Sequence, residues 1–404
     1  MRYLTILSLA VATWLPAGGC KKVSSNRIKI VSSLPRTGSA NAQTTTIVNG
    51  IKMAIEEVGG KVGDFEIVYE DWDDASPKRA NWDGEVEAAN ANKAVGDPNV
   101  LVYIGTFNSG AAKISIPVLN KAGLTMISPA NTATGLTKPG MGEQGEPRIY
   151  RESGKITYYR VVPADDLQGK AAANWMFEMG ARTVYVLDDR EMYGKGIADV
   201  FVVTAKKIGL TVVGRDGIDP KQPEYRALMT KIKDSNPDFV YFGGTTQSNG
   251  GQVAKDMVAV GLGAKLMVPD GCFEDAFIAA AGARNLNDRV FVTFGGVPPD
   301  QLTGKGAEFV QAYKKKYNSM PEGYAVYGYV CAQVALAAIA TAGESGRKPD
   351  REAIRAAVQA TDMAESPLGA FQFDENGDTT LTTMSGNTVK DGKSGYAYAA
   401  LLAA

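Results

Sequence analysis

A strand, a helix and a second strand follow one another within residues 100–136, and that order admits few folds. After Val100 the segment reads LVYIG, TFNSGAAKISIPVLNKAG, LTMISP and ANTATGL. Leu101–Ile104 is a short apolar run of the kind that fills a sheet covered on both faces. Ser109 is placed to cap the helix that follows, Gly123 to stop it and Pro117 to bend it. Strands joined through a helix run parallel, so the expected class is α/β with doubly wound sheets.

The same segment brings binding groups to one edge. A helix start offers free amides and a partial positive charge, which favour an anion. The second strand ends at Ser128-Pro129, and its loop Ala130-Asn131-Thr132 opens where open α/β sheets hold ligands. These residues alone leave two readings open, an anion site or an ordinary capped strand–helix–strand unit.

Composition removes most alternatives. At 404 residues the chain exceeds one core, so two domains are expected. It has no histidine, which removes Ser-His-Asp and Cys-His nucleophiles and histidine metal sites. Cys20, Cys272 and Cys331 are too scattered for a zinc cluster, and Cys272 and Cys331 are expected to be free thiols. No phosphate-binding G-x-x-x-x-G-K-[ST] loop occurs, and Asp199 breaks the dinucleotide fingerprint begun by Gly194-Lys195-Gly196. No catalytic residue, cofactor or metal is therefore expected, and the chain does not read as an enzyme. A net charge of −1 without long like-charge runs gives no nucleic-acid surface.

The spacing from Ile104-Gly105 through Ser109 to Pro129-Ala130-Asn131-Thr132 resembles the type I periplasmic binding proteins of the branched-chain amino acid transporter family. The likeness continues through GIKMAIEEVGG at 50–60 and the Y-G pair Tyr193-Gly194. It implies two doubly wound lobes around a central cleft, joined by three crossover segments. In the family, the serine at the helix start and the Ala-x-Thr loop hold the ligand's α-carboxylate and α-ammonium. Ser109, Ala130, Asn131 and Thr132 fall there, Asn131 replacing the usual small residue. Tyr193 would close over the carboxylate from the second lobe. Asp270 would pair with the ammonium, where glutamate is commoner. Tyr324 would lie against the ligand side chain, and Phe107, Asp165 and Thr245 are further pocket candidates.

Taken in order, residues 1–20 read as an export signal of the lipoprotein type, with Cys20 as the lipidated residue and 21–26 as a tether. The first lobe is expected over 27–160 and 297–370, the second over 161–296 and 371–404. Arg27–Leu34 reads as a strand, Thr44–Gly60 as an amphipathic helix, and Phe65–Glu70 as a strand. The acidic run Asp71–Asp74 reads as preceding a helix over Pro77–Val95 rather than as a metal site. Residues 137–154 read as a flap on the cleft side, and Asp165-Asp166 as a helix cap beside a hinge. In the second lobe, strands are expected at Thr183–Leu187, Phe239–Phe242 and Leu266–Val268.

The function this implies is an exported solute-binding protein of an ABC importer. It would capture an amino acid by closure and work with permease and ATPase subunits, touching the membrane only through an N-terminal lipid. A sensor feeding a signalling partner, or a binder of another small carboxylate, are the alternatives. With no histidine to titrate, affinity is expected to change little between about pH 6 and 8.

Overall fold

In the computed structural model, residues 26–390 and 395–403 are described. The leader, Cys20 and tether residues 21–25 lie outside them. Two sheets dominate. The first has the spatial order Lys61–Val62, Phe65–Asp73, Arg27–Leu34, Val100–Gly105, Thr125–Ser128, Tyr158–Arg160. All neighbours pair parallel except the Lys61–Val62 hairpin arm. The second runs Thr211–Gly217, Thr183–Asp188, Phe239–Gly243, Lys265–Val268, Val290–Gly295, Met384–Thr388, Ala397–Leu402. Its first five strands are parallel, and Met384–Thr388 pairs antiparallel with both of its neighbours. In both sheets the first parallel strand in sequence lies between the second and third, and the strand order reverses beside it. Ligands of open α/β sheets sit outside the strand ends at such a reversal.

Burial explains which strands the sequence announces. Every residue of Val100–Gly105 and of Phe239–Gly243 is buried, so both read as unbroken apolar runs. Thr211–Gly217, an edge strand with alternate residues exposed, carries no such run and was not anticipated.

The chain passes between the sheets three times. It leaves the first after Arg160, returns after Gly295, and crosses again between Phe373 and Met384. Phe373 packs against Tyr159 of the first lobe, at 5.0 Å between ring centroids, so the last crossing falls later than 371. The returning segment supplies the helix Ala325–Ala342, which packs on the helix Asn41–Glu57. The two approach closely because both lack a side chain where they cross. A Cβ at Gly50 would lie 2.2 Å from the Ala325 carbonyl oxygen, and one at Gly328 2.4 Å from that of Ile47. Ala325–Ala342 is apolar enough to cross a bilayer, with mean hydropathy 1.6, but it is mostly buried in the protein. Cys272 and Cys331 are buried, free thiols.

Several expected elements shift. The helix placed at Thr44–Gly60 spans Asn41–Glu57. The helix placed at Pro77–Val95 begins only at Gly84, where Asp83 caps it by accepting the Glu85 N–H at 3.0 Å. Residues 75–82 instead form a hairpin pairing Ala75–Ser76 with Asn81–Trp82. It turns through Ala80, at φ +49°, and Ser76 donates to Asp83 at 2.7 Å. Ser109 is the first helical residue and Asn108 its cap position. Asp165 likewise opens its helix, capped at Ala164.

Candidate functional site

A cavity of about 80 Å3 lies between the lobes, where the strand ends of both sheets meet. Phe107, Ser109, Ala130, Tyr193, Thr245, Asp270 and Tyr324 line it, so these seven expected residues converge. Asn131, Thr132 and Asp165 do not line it. Nor does any residue of 137–154. That segment flanks the helix Met192–Ile208 instead, and Glu143 within it pairs with Lys113 at 2.9 Å.

The first lobe's wall is the start of the helix Ser109–Lys121. First-turn amides have no partner within a helix and face an incoming anion. The Ser109 hydroxyl accepts the Ala133 N–H at 3.3 Å, tying the helix start to the neighbouring loop. Trp82 covers the same turn from the hairpin; a Cβ on Gly110 would meet its ring at 2.6 Å, so glycine is what lets the indole approach.

Asn131 works behind this wall. Its side chain accepts from the Thr106 N–H at 3.3 Å and the Tyr158 hydroxyl at 3.2 Å, and donates to the Phe107 carbonyl at 3.0 Å. Its amide is therefore spent on the fold, against the expectation of a side-chain ligand contact. Arg160, fully buried, donates to the carbonyls of Asn131 and Ala133 at 3.2 and 2.9 Å. It also pairs with Asp378 at 2.7 Å and donates to the Thr137 hydroxyl. Despite burial, the guanidinium holds Asp378 below the usual carboxylate range. The loop at Asn131 and Ala133 is thus clamped to the segment that makes the last crossing.

The second lobe contributes Tyr193 from the first turn of the helix Met192–Ile208, and Asp270 from the turn after Lys265–Val268. Asp270 accepts from the hydroxyls of both Tyr193 and Tyr324. The Gly271 N–H donates to Tyr193 at 3.1 Å. Thr245 and Ser248 share a hydroxyl contact at 3.1 Å in the turn beside them. Phe107 meets Tyr324 edge-on at 6.0 Å.

Charge is unbalanced here. Burial pushes Asp270 up, against the pull of its tyrosine hydroxyls. Burial, with Asp270 nearby, pushes Asp165 well above the usual carboxylate range. Neither Asp165 oxygen has a hydrogen bond of normal geometry, although Thr132 lies close enough to favour its charged form, and the Asp165 N–H donates to the Thr132 carbonyl at 2.8 Å. Asp189, also lining the cavity, is pushed up to about 7 by burial. Buried carboxyls facing a cleft without lysine or arginine in its lining suit a ligand that brings positive charge. No cluster of three or more acidic or cysteine side chains able to hold a metal occurs among the described residues.

The sequence profile described as periplasmic binding protein matches residues 27–393. The chain belongs to that family. Within it, this is a type I binding protein of the branched-chain amino acid class. It is 29% identical over 356 residues to the Leu/Ile/Val-binding protein BraC3 of Rhizobium johnstonii, covering 87% of this chain and 88% of that one. The leucine-binding protein LivK of Thermotoga maritima shares its fold, with a TM-score of 0.80 at 24% identity over 93% of this chain and 99% of that one. So does a solute-binding protein of R. palustris solved with benzoate, with a TM-score of 0.77 at 21% identity over 93% and 96% of the two chains. This periplasmic binding protein is accordingly an exported, solute-binding component of the ABC transporter type.

Trp82, Gly110, Gln247 and Ser248 carry no signal in the sequence, and Arg160 is marked there only as the start of the first crossing.

Proposed function

We propose that the cleft captures an amino acid and delivers it to an ABC permease driven by separate ATPase subunits. One observation carries this reading: the helix start at Ser109 and the buried carboxylate of Asp270 face the same small cavity from opposite lobes. An α-carboxylate fits the first and an α-ammonium the second, so a zwitterion bridges the lobes and favours closure. Charge-assisted hydrogen bonds contribute about 1.5–3 kcal/mol each, and a few suffice for micromolar affinity. The two lobes, divided at the three crossings, move about them, and Cys20 anchors the protein through lipid.

Calorimetric titration with the standard amino acids tests the reading; binding of at least one at micromolar affinity is expected, and no binding by any would overturn it. A second reading, a small aromatic carboxylate, is favoured by the tyrosine hydroxyls that already occupy Asp270. The R. palustris relative holds benzoate. Benzoate belongs in the same titration series. A role in sensing would show as a signalling output that survives deletion of the permease.

A further inference from the structure

Next to the cavity, buried hydrogen-bond acceptors outnumber the donors that face them. Gln247 lines the cavity, and its Nε2 donates to Glu274 Oε1 at 2.7 Å. In its ionised form Glu274 only accepts, which fixes the amide orientation and leaves Gln247 Oε1 as a buried acceptor with no partner. Across the cleft, fully buried Gln43 on the helix Asn41–Glu57 donates to the Phe273 carbonyl at 3.5 Å. That carbonyl fixes the second amide in the same way, and Gln43 Oε1 is likewise without a partner. Glu274 itself is buried, and its Oε2 has no hydrogen bond of normal geometry, although Thr246 lies close enough to favour its charged form. The charged groups facing this spot are all acidic. Burial, reinforced by Glu274 and Asp275, pushes Glu322 up to about 8, and burial pushes Glu274 up to about 7.

Buried acceptors left without donors are costly, and native proteins leave few of them. Three from two lobes, with Gln247 on the cavity wall and Glu274 and Gln43 packed behind it, call for a ligand that supplies N–H groups. A branched aliphatic side chain supplies none and would leave all three desolvated and unpaired.

We infer that the ligand is an amino acid whose side chain ends in a nitrogen donor, an amide, ammonium or guanidinium group, received by Gln247, Glu274 and Gln43. The inference rests on the amino acid reading above, with the α-groups at Ser109 and Asp270, and adds the class of side chain. Sites built to hydrogen-bond a substrate group discriminate strongly against analogues lacking it.

Calorimetric titration of the whole chain with glutamine, lysine, arginine, leucine, isoleucine and valine is the test. At least one nitrogen-ended amino acid is expected to bind tenfold or more tightly than the three aliphatic ones. Glu274→Gln should cut that preference at least tenfold. Gln43→Met, on the other lobe, should lower it in the same direction, with thermal melts showing that both variants fold. Aliphatic amino acids binding as tightly as or tighter than the nitrogen-ended ones would overturn the inference and leave the amino acid reading standing. Equal weakening of every ligand by both variants would also overturn it, since that marks a purely structural role. Failure of all six to bind would bring down both.

Discussion

The Tyr324 hydroxyl, carried by the first lobe, donates to the Asp270 carboxylate of the second. Tyr193, from the second lobe, donates to the other oxygen of the same carboxylate. Asp270 therefore joins the lobes as well as facing the ligand cavity.

Tyr324→Phe is expected to favour an open form without ligand, because it removes the bridging donor while keeping the ring against Phe107. A charge-assisted hydrogen bond contributes about 1.5–3 kcal/mol. Small-angle scattering of the apo variant should show a larger radius of gyration than wild type; an unchanged radius would show that the bridge does not set the equilibrium.

Asp270→Asn should weaken amino acid binding far more than Ser109→Ala. The serine's loss removes one replaceable hydrogen bond, about 1 kcal/mol, because helix amides still face the carboxylate. Removing the aspartate charge leaves a buried ammonium unpaired, which costs about 3–5 kcal/mol. Titration of both variants with the best amino acid decides. An Asp270→Asn protein that binds like wild type sinks the ammonium assignment.

Stability should fall as pH rises between about 5 and 8. Asp189 and Glu274 titrate at about 7 and Glu322 at about 8 in the fold, all raised mainly by burial. In that window the folded chain keeps protons that the unfolded chain, with ordinary carboxyls, has lost. The folded state binds more protons, so raising pH favours unfolding until about 8, where the effect levels off. The lack of histidine bears on ligand affinity across this range; stability follows the buried carboxyls instead. Apo melting temperatures at half-unit pH intervals check the sign, and a rise toward pH 8 would contradict it.

Arg160→Ala should destabilise the fold by about 3–5 kcal/mol, because it strands a buried Asp378 and frees the loop at Asn131 and Ala133. Urea unfolding measures this. Loss below about 1 kcal/mol would mean that water replaces the guanidinium.

What could be read from the sequence follows burial. Val100–Gly105 and Phe239–Gly243, buried throughout, announced themselves as strands. Thr211–Gly217 did not, because an edge strand that alternates with solvent has no apolar run to show. The hairpin carrying Trp82 was hidden because its turn uses Ala80 at positive φ, where glycine would have marked it. Ser109, Tyr193, Asp270 and Tyr324, expected together from the family resemblance, line one cavity because loops at strand ends converge in this topology. The direction in which Asn131 points was not, since spacing identifies a loop but not which side of it meets the ligand.

The close crossing of Gly50 and Gly328 also bears on when the protein can fold. Nearly 280 residues of chain separate the two glycines, so the first lobe's helical layer waits for the returning segment. Contacts of such long range form slowly, after the intervening chain has been gathered. While residues 1–300 emerge, the part of Asn41–Glu57 that Ala325–Ala342 covers has no partner, and the lobe stays incomplete. For an exported protein that delay is useful: a chain whose first lobe is unfinished remains threadable until its far end arrives. A chain ended at residue 300 is expected to be protease-sensitive throughout its first 160 residues, where the whole chain is not.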